Sequence, residues 1–151
     1  MEISNRFLSI LFSKNGAILN VQHKHLDENI RFHTNVVSYG TSKQSDHHSG
    51  AYLFIPNGNA QDIPMSNHEF IRIQRGPLIQ RMDIIHQLVV LRYELTNING
   101  LNDHILKLSA ITHLNMNKDT ELALRFSTGI KNNAEFFTDL NGFQVFLFVM
   151  N

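Results

Sequence analysis

Apolar residues along this chain recur in short, often alternating runs separated by turn residues, and sustained helical periodicity is missing. Phe7 to Phe12 is an apolar run broken by one serine. Lys14-Asn15-Gly16 follows, and Ala17 to Val21 resumes the pattern. Asn-Gly between two such runs is the strongest short hairpin signal, so residues 6–23 are predicted to form a β-hairpin. Ile30, Phe32 and Thr34 alternate with Arg31, His33 and Asn35, and the segment runs on through Val36, Val37 and Tyr39 as a third strand. Gly40 to Gly50 is polar and reads as a loop. Ala51 to Ile55 reads as a compact strand closed by Pro56-Asn57-Gly58, and Gln61 to His68 as another loop.

Phe70 to Gln74 alternates, Gly76-Pro77 is a break, and Leu78 to Met82 is a further strand. Ile84 to Leu95 reads as the longest single element. Val89, Leu91 and Tyr93 share one of its faces, and Leu88, Val90 and Arg92 the other. A second Asn-Gly, Asn99-Gly100, turns the chain back into Ile105 to Thr112. Leu122, Leu124 and Phe126 alternate with Ala123, Arg125 and Ser127. Phe136 to Thr138 is short, Asp139 to Gly142 is a turn, and Phe143 to Met150 is a last apolar run. The pattern predicts an all-β antiparallel sandwich of about nine to eleven strands. Residues 1–151 form a single domain, with no repeat and no linker to divide them.

Composition narrows the function. The chain has 151 residues, 42% of them hydrophobic, enough for one domain and too few for most two-domain enzymes. Lys+Arg and Asp+Glu are 13 each, so no bulk charge draws the chain to nucleic acid or to an anionic membrane, and neither is expected as a partner. No cysteine is present, which excludes disulfides, thiolate zinc sites and a cysteine nucleophile. No apolar stretch approaches the length of a membrane span, and residues 1–16 lack the basic start of a signal peptide.

No phosphate-binding glycine loop and no G-x-S-x-G elbow appears. Nine histidines invite a metal reading, with Asp46, His47 and His48 together in a polar loop and His23 and His25 on one strand face. A zinc site needs three or four converging ligands, so solvated or half-buried histidines are the expectation here. Acids are scattered, and Asp139 sits in a turn where aspartate commonly bonds its own backbone. Arg72, Arg75 and Arg81 read as a charged strand face. Two words stand out, Ser49-Gly50-Ala51-Tyr52-Leu53-Phe54-Ile55-Pro56-Asn57-Gly58 and Phe136-Phe137-Thr138-Asp139-Leu140-Asn141-Gly142. On pattern alone Tyr52 reads as a core tyrosine with its hydroxyl on a backbone carbonyl.

The first word resembles the SGAYLF-P-G signature of the class II α-mannosidases, glycoside hydrolase family thirty-eight. The second resembles their FYTDLNG, with Phe137 where the family has tyrosine. The resemblance covers roughly residues 5–144, with the words in the family's order. Leu140 and Leu53 resemble the Golgi type, which implies the Golgi lumen for the parent enzyme, with the lysosome as the alternative.

The resemblance implies a zinc-dependent, retaining α-mannosidase that trims mannose from N-glycans. It places this chain in the β-rich C-terminal region, a partial galactose-mutarotase-like supersandwich. The family's N-terminal catalytic barrel carries the zinc ligands, the nucleophile and the acid/base carboxylate, and it is missing from this chain. Zinc is therefore expected in the full-length parent and not in this chain, which alone should be inactive. One substrate-binding role carries over. The tyrosine of the first word hydrogen-bonds the bound sugar in the family, which implies the same for Tyr52. No catalytic residue and no metal ligand carries over.

Residues 145–151 depart from the family and read as an aberrant apolar tail. It is expected to pair at a sheet edge with a face exposed, or to be poorly ordered. A fragment or mispredicted gene model, cut at both ends, is the expectation. The alternative is a stand-alone carbohydrate-binding or interaction β-module, against which the absence of tryptophan weighs.

Overall fold

The computed structural model describes residues 1–41, 54–112, 119–139, 142 and 144–149. Among these residues are thirteen strands, no α-helix and two short 3₁₀ turns. No described helix is long and apolar enough to cross a membrane. The first sheet runs in the order β1 (Glu2–Ser4), β2 (Leu8–Phe12), β3 (Ile18–His23), β4 (Glu28–Ile30). The second holds β7 (Phe70–Arg75), β8 (Ile79–Ile85), β9 (Val89–Thr96) and β10 (Leu106–Thr112), neighbours in chain order. A third sheet places β5 (Phe32–Thr41) between β11 (Thr120–Thr128) and β6 (Pro56–Ile63), and β12 (Glu135–Asp139) pairs with β13 (Val145–Val149). Every pairing is antiparallel.

Strand alternation decides which side chains form the core. Ile3, Leu8, Ile10, Phe12, Ile18 and Val21 from the first sheet meet Met82, Ile84, Val89, Leu91, Tyr93 and Leu95 from the second, with Val36 of β5 joining them. The Phe12 and Tyr93 rings lie 5.2 Å apart at the centre. Burying each such side chain contributes about 1.5–3 kcal/mol, which is what holds the two layers together. Their edge is pinned by Asn5. Its Oδ1 accepts the Phe7 and Leu8 N–H groups, making the turn from β1 into β2, and its Nδ2 donates to the carbonyls of Thr96 and Asp103.

The predicted all-β sandwich-like architecture and the hairpin at Asn15-Gly16 are both present, the latter joining β2 to β3. Gly16 has φ +81°, and a Cβ there would lie 2.6 Å from Ile84 Cδ1. The turn therefore seats directly on the facing sheet. Gly16→Ala combines positive-φ strain with overlap on a fully buried isoleucine, and should cost about 1–3 kcal/mol. Chemical denaturation measures it, and a loss near zero would mean that the turn repacks freely.

Three expectations are corrected. Ile84 to Leu95 is not one element, because the chain turns at His86–Leu88 without glycine or proline. The His86 and Val89 backbones bond each other at 3.0 and 3.2 Å, and His86 Nδ1 accepts the Leu88 N–H at 3.2 Å. A side-chain acceptor has replaced the usual turn residue. Pro56-Asn57-Gly58 begins β6, which takes in Gln61–Ile63 of the expected loop; of the strand expected before it, Phe54 and Ile55 are not in a strand and residues 51–53 lie outside the described residues. Proline is tolerated there because β6 is an edge strand and Pro56 its first residue. Gly58, at φ +87°, lies where β6 carries extra residues opposite Ser38–Gly40 of β5, a bulge. Finally, the strand expected from Ile30 onward is two, β4 and β5, which pair with different sheets on either side of Arg31.

The last apolar run pairs with β12, and every residue of both strands is exposed.

Candidate functional site

Among the places where the described structure brings polar or aromatic groups together, three bear on catalysis or binding. The first is the outer face of the second sheet. The antiparallel register sets Arg72, Asp83 and Arg92 side by side on β7, β8 and β9, and in the next row Arg81, Glu94 and Lys107 on β8, β9 and β10. Asp83 is fully buried beneath its two arginines, with Arg92 Nε donating to Oδ1 at 2.8 Å and Arg72 Nε to Oδ2 at 3.2 Å. Burial alone would raise the Asp83 carboxyl. Hydrogen bonds and charge from Arg92 and Arg72 outweigh it and hold the pKa below the ordinary carboxylate value. Glu94 accepts from Arg81 Nε at 2.9 Å and lies 3.7 Å from the Lys107 ammonium. Asp83 thus has no proton to give at neutral pH and no oxygen free of a guanidinium. The rows are the charged strand face expected at Arg72 and Arg81, and they stiffen the sheet instead of doing acid/base work; Arg75, expected with them, lies on the opposite face, where it donates to the Glu2 carbonyl.

The second place is a cleft of about 330 Å³ between the β2–β3 turn, β5, the end of β6 and β9. Thr34 Oγ1 and the Tyr93 hydroxyl share a hydrogen bond of 2.5 Å at its wall. Burial raises the Tyr93 pKa, partly offset by that bond, so the phenol stays protonated. The cleft's one carboxylate, Asp62, is ion-paired with Arg125. Hydroxyls and an engaged carboxylate can bind a polar group but cannot split a glycosidic bond, which needs an acid and a second carboxylate.

The third place was not legible in sequence. Phe7 stacks on His104 at 3.8 Å, meets His25 at 4.9 Å, and His23 and His104 lie parallel at 6.0 Å. The histidines surround a phenyl ring, not a common point, and His25 lies in the turn after β3 and not on the strand face expected for it with His23. Among the described residues no group of three or more His, Asp or Glu is placed to hold a metal ion. The described residues therefore do not fit a zinc site. Residue spacing offered no signal for this cluster, because His104 arrives from the 3₁₀ turn at Leu101–His104, far along the chain from Phe7.

Tyr52 lies outside the described residues, as do Asp46, His47, His48 and His113. Of the second word, Phe136 to Asp139 form the end of β12. Asp139 Oδ2 accepts the Gly142 N–H at 2.6 Å, the turn role expected of it, and Phe137 is exposed.

The sequence profile of the glycosyl hydrolases family 38 C-terminal domain matches residues 3–147. The chain belongs to that family. Mouse alpha-mannosidase 2 is 31% identical over 143 residues, and mouse alpha-mannosidase 2x is 32% identical over 148. Drosophila melanogaster alpha-mannosidase 2 is 29% identical over 141 residues. The matches cover 95%, 95% and 90% of this chain and 12% of each relative. The family 38 domain thus spans about an eighth of the curated relatives it matches, and the resemblance carried by the two words is shown to be one of family.

Proposed function

We propose that this family 38 domain is part of a zinc-dependent retaining α-mannosidase that trims mannose from N-glycans in the Golgi lumen, and that Tyr52 donates a hydrogen bond to the bound sugar. The observation that carries the reading is the family match over residues 3–147, with the word Ser49–Phe54 inside it. In this reading the nucleophile, the acid/base carboxylate and the zinc belong to the parent's catalytic barrel. The β-domain supplies a wall, and β5, which leads into the word, is held to the second sheet by Val36 in the core and by the Thr34–Tyr93 hydrogen bond.

The test has two arms. Transcript sequencing upstream of Met1 should reveal a barrel-coding reading frame joined to this one, and a genuine start with none would overturn the proposal. The purified 151-residue chain should release no aryl alcohol from an aryl α-mannoside with or without added zinc. Zinc-dependent turnover by this chain would place the chemistry here and overturn the division of labour.

A further inference from the structure

The β12–β13 hairpin forms a sheet of its own, and its second strand is apolar on both faces. Val145, Leu147 and Val149 point to one side, where Phe137 faces Leu147. Phe146 and Phe148 point to the other, where Phe136 stacks on Phe148 at 5.2 Å. Among the described residues β13 pairs only with β12, and no described strand takes up the backbone N–H and C=O groups of its second edge. That edge reads Val145-Phe146-Leu147-Phe148-Val149, a palindrome without charge.

We infer that β13 is a self-association edge whose partner is the β13 strand of a second copy of this chain, paired antiparallel about a two-fold axis at Leu147. A two-fold interface must present the same patch to itself, and antiparallel pairing of a palindromic strand does so at every position. Valine meets valine, phenylalanine meets phenylalanine and leucine meets leucine. The result is a four-stranded sheet in which Phe136, Phe148 and the second copy's Phe146 form one continuous row, the cross-strand aromatic pairing that stabilises sheets. Charge selects β13 over the opposite edge. Pairing β12 with itself in the same way would set Glu135 against Asp139 twice, and like charges directly opposed are destabilising. A two-stranded hairpin is marginal by itself, and doubling it gives the strand number that an independent sheet needs.

The chain has no native cysteine, so single thiols report the register. In the full chain, Leu147→Cys puts two thiols on the axis. Val145→Cys puts them four residues apart along the strands, about 14 Å, beyond disulfide reach. Sedimentation should show mass rising toward the dimer with concentration. Under mild oxidation Leu147→Cys should cross-link about tenfold or more faster than Val145→Cys, and Val145→Cys mixed with Val149→Cys should cross-link well. Leu147→Lys should hold the chain monomeric, while Phe137→Lys, equal in charge but off the axis, should leave the dimer. Equal cross-linking at 145 and 147 would mean non-specific aggregation and overturn the inference. A monomer at all concentrations, with no cross-linking of the Leu147→Cys variant, would overturn it too, whether the edge is empty or covered by another segment of the chain.

Discussion

Asp83→Asn is expected to lower stability by about 2–3 kcal/mol, or roughly 5–10 °C in Tm, the largest effect of any single polar substitution in the second sheet. The side chain keeps its shape, but two arginines lose the charge between them, and an amide N–H₂ now points at a guanidinium. Removing one partner of a fully buried ion pair costs about 3–5 kcal/mol. The lower figure applies because Arg72 is half exposed and Arg92 about a quarter exposed, so both can turn toward water. Arg92→Met should cost more than Arg72→Met for the same reason.

The pH dependence identifies the cause. Asp83 has its pKa lowered by folding, so it stabilises the fold fully above its unfolded value, about 3.9, and that stability disappears as pH falls through the lower folded value. The gap in Tm between wild type and Asp83→Asn should be constant from neutral pH down to about pH 5, then shrink below about pH 4. A gap that persists undiminished at the acid end would mean that shape, and not charge, is what the arginines require.

The same sheet shows what the sequence could and could not disclose. That Val89, Leu91 and Tyr93 share a face was legible, because period-two alternation is a local property. That Arg72, Asp83 and Arg92 are neighbours was not, since it depends on the register of three strands. The β8–β9 register depends on the turn at His86–Leu88, which carries none of the usual turn residues. Phe7 and His104 meet for a similar reason, through packing of the first sheet on the second. Pro56-Asn57-Gly58 misled in the opposite direction. Proline and glycine mark turns most often, but an edge strand with a bulge accommodates both. The two family words needed no register at all, and the membership they indicated holds across residues 3–147.

Tyr52→Phe, made in the full-length parent enzyme, is expected to reduce kcat/KM by about three- to a hundredfold while leaving Tm nearly unchanged. Phenylalanine keeps the ring and removes only the hydroxyl. A neutral hydrogen bond to a sugar hydroxyl is worth about 0.5–1.5 kcal/mol net, and more where its loss strands a buried partner. Tyr93 supplies the contrasting case within the same domain. Its ring fills the core against Phe12, and its hydroxyl is bonded to Thr34. Tyr93→Phe should therefore lower stability by about 1 kcal/mol and leave kcat/KM unchanged. The two substitutions delete the same atom, so kinetics and melting together separate a sugar-contacting tyrosine from a structural one. Normal kinetics with a clearly lower Tm for Tyr52→Phe would make Tyr52 a second core tyrosine and remove it from the site, even with the family membership intact.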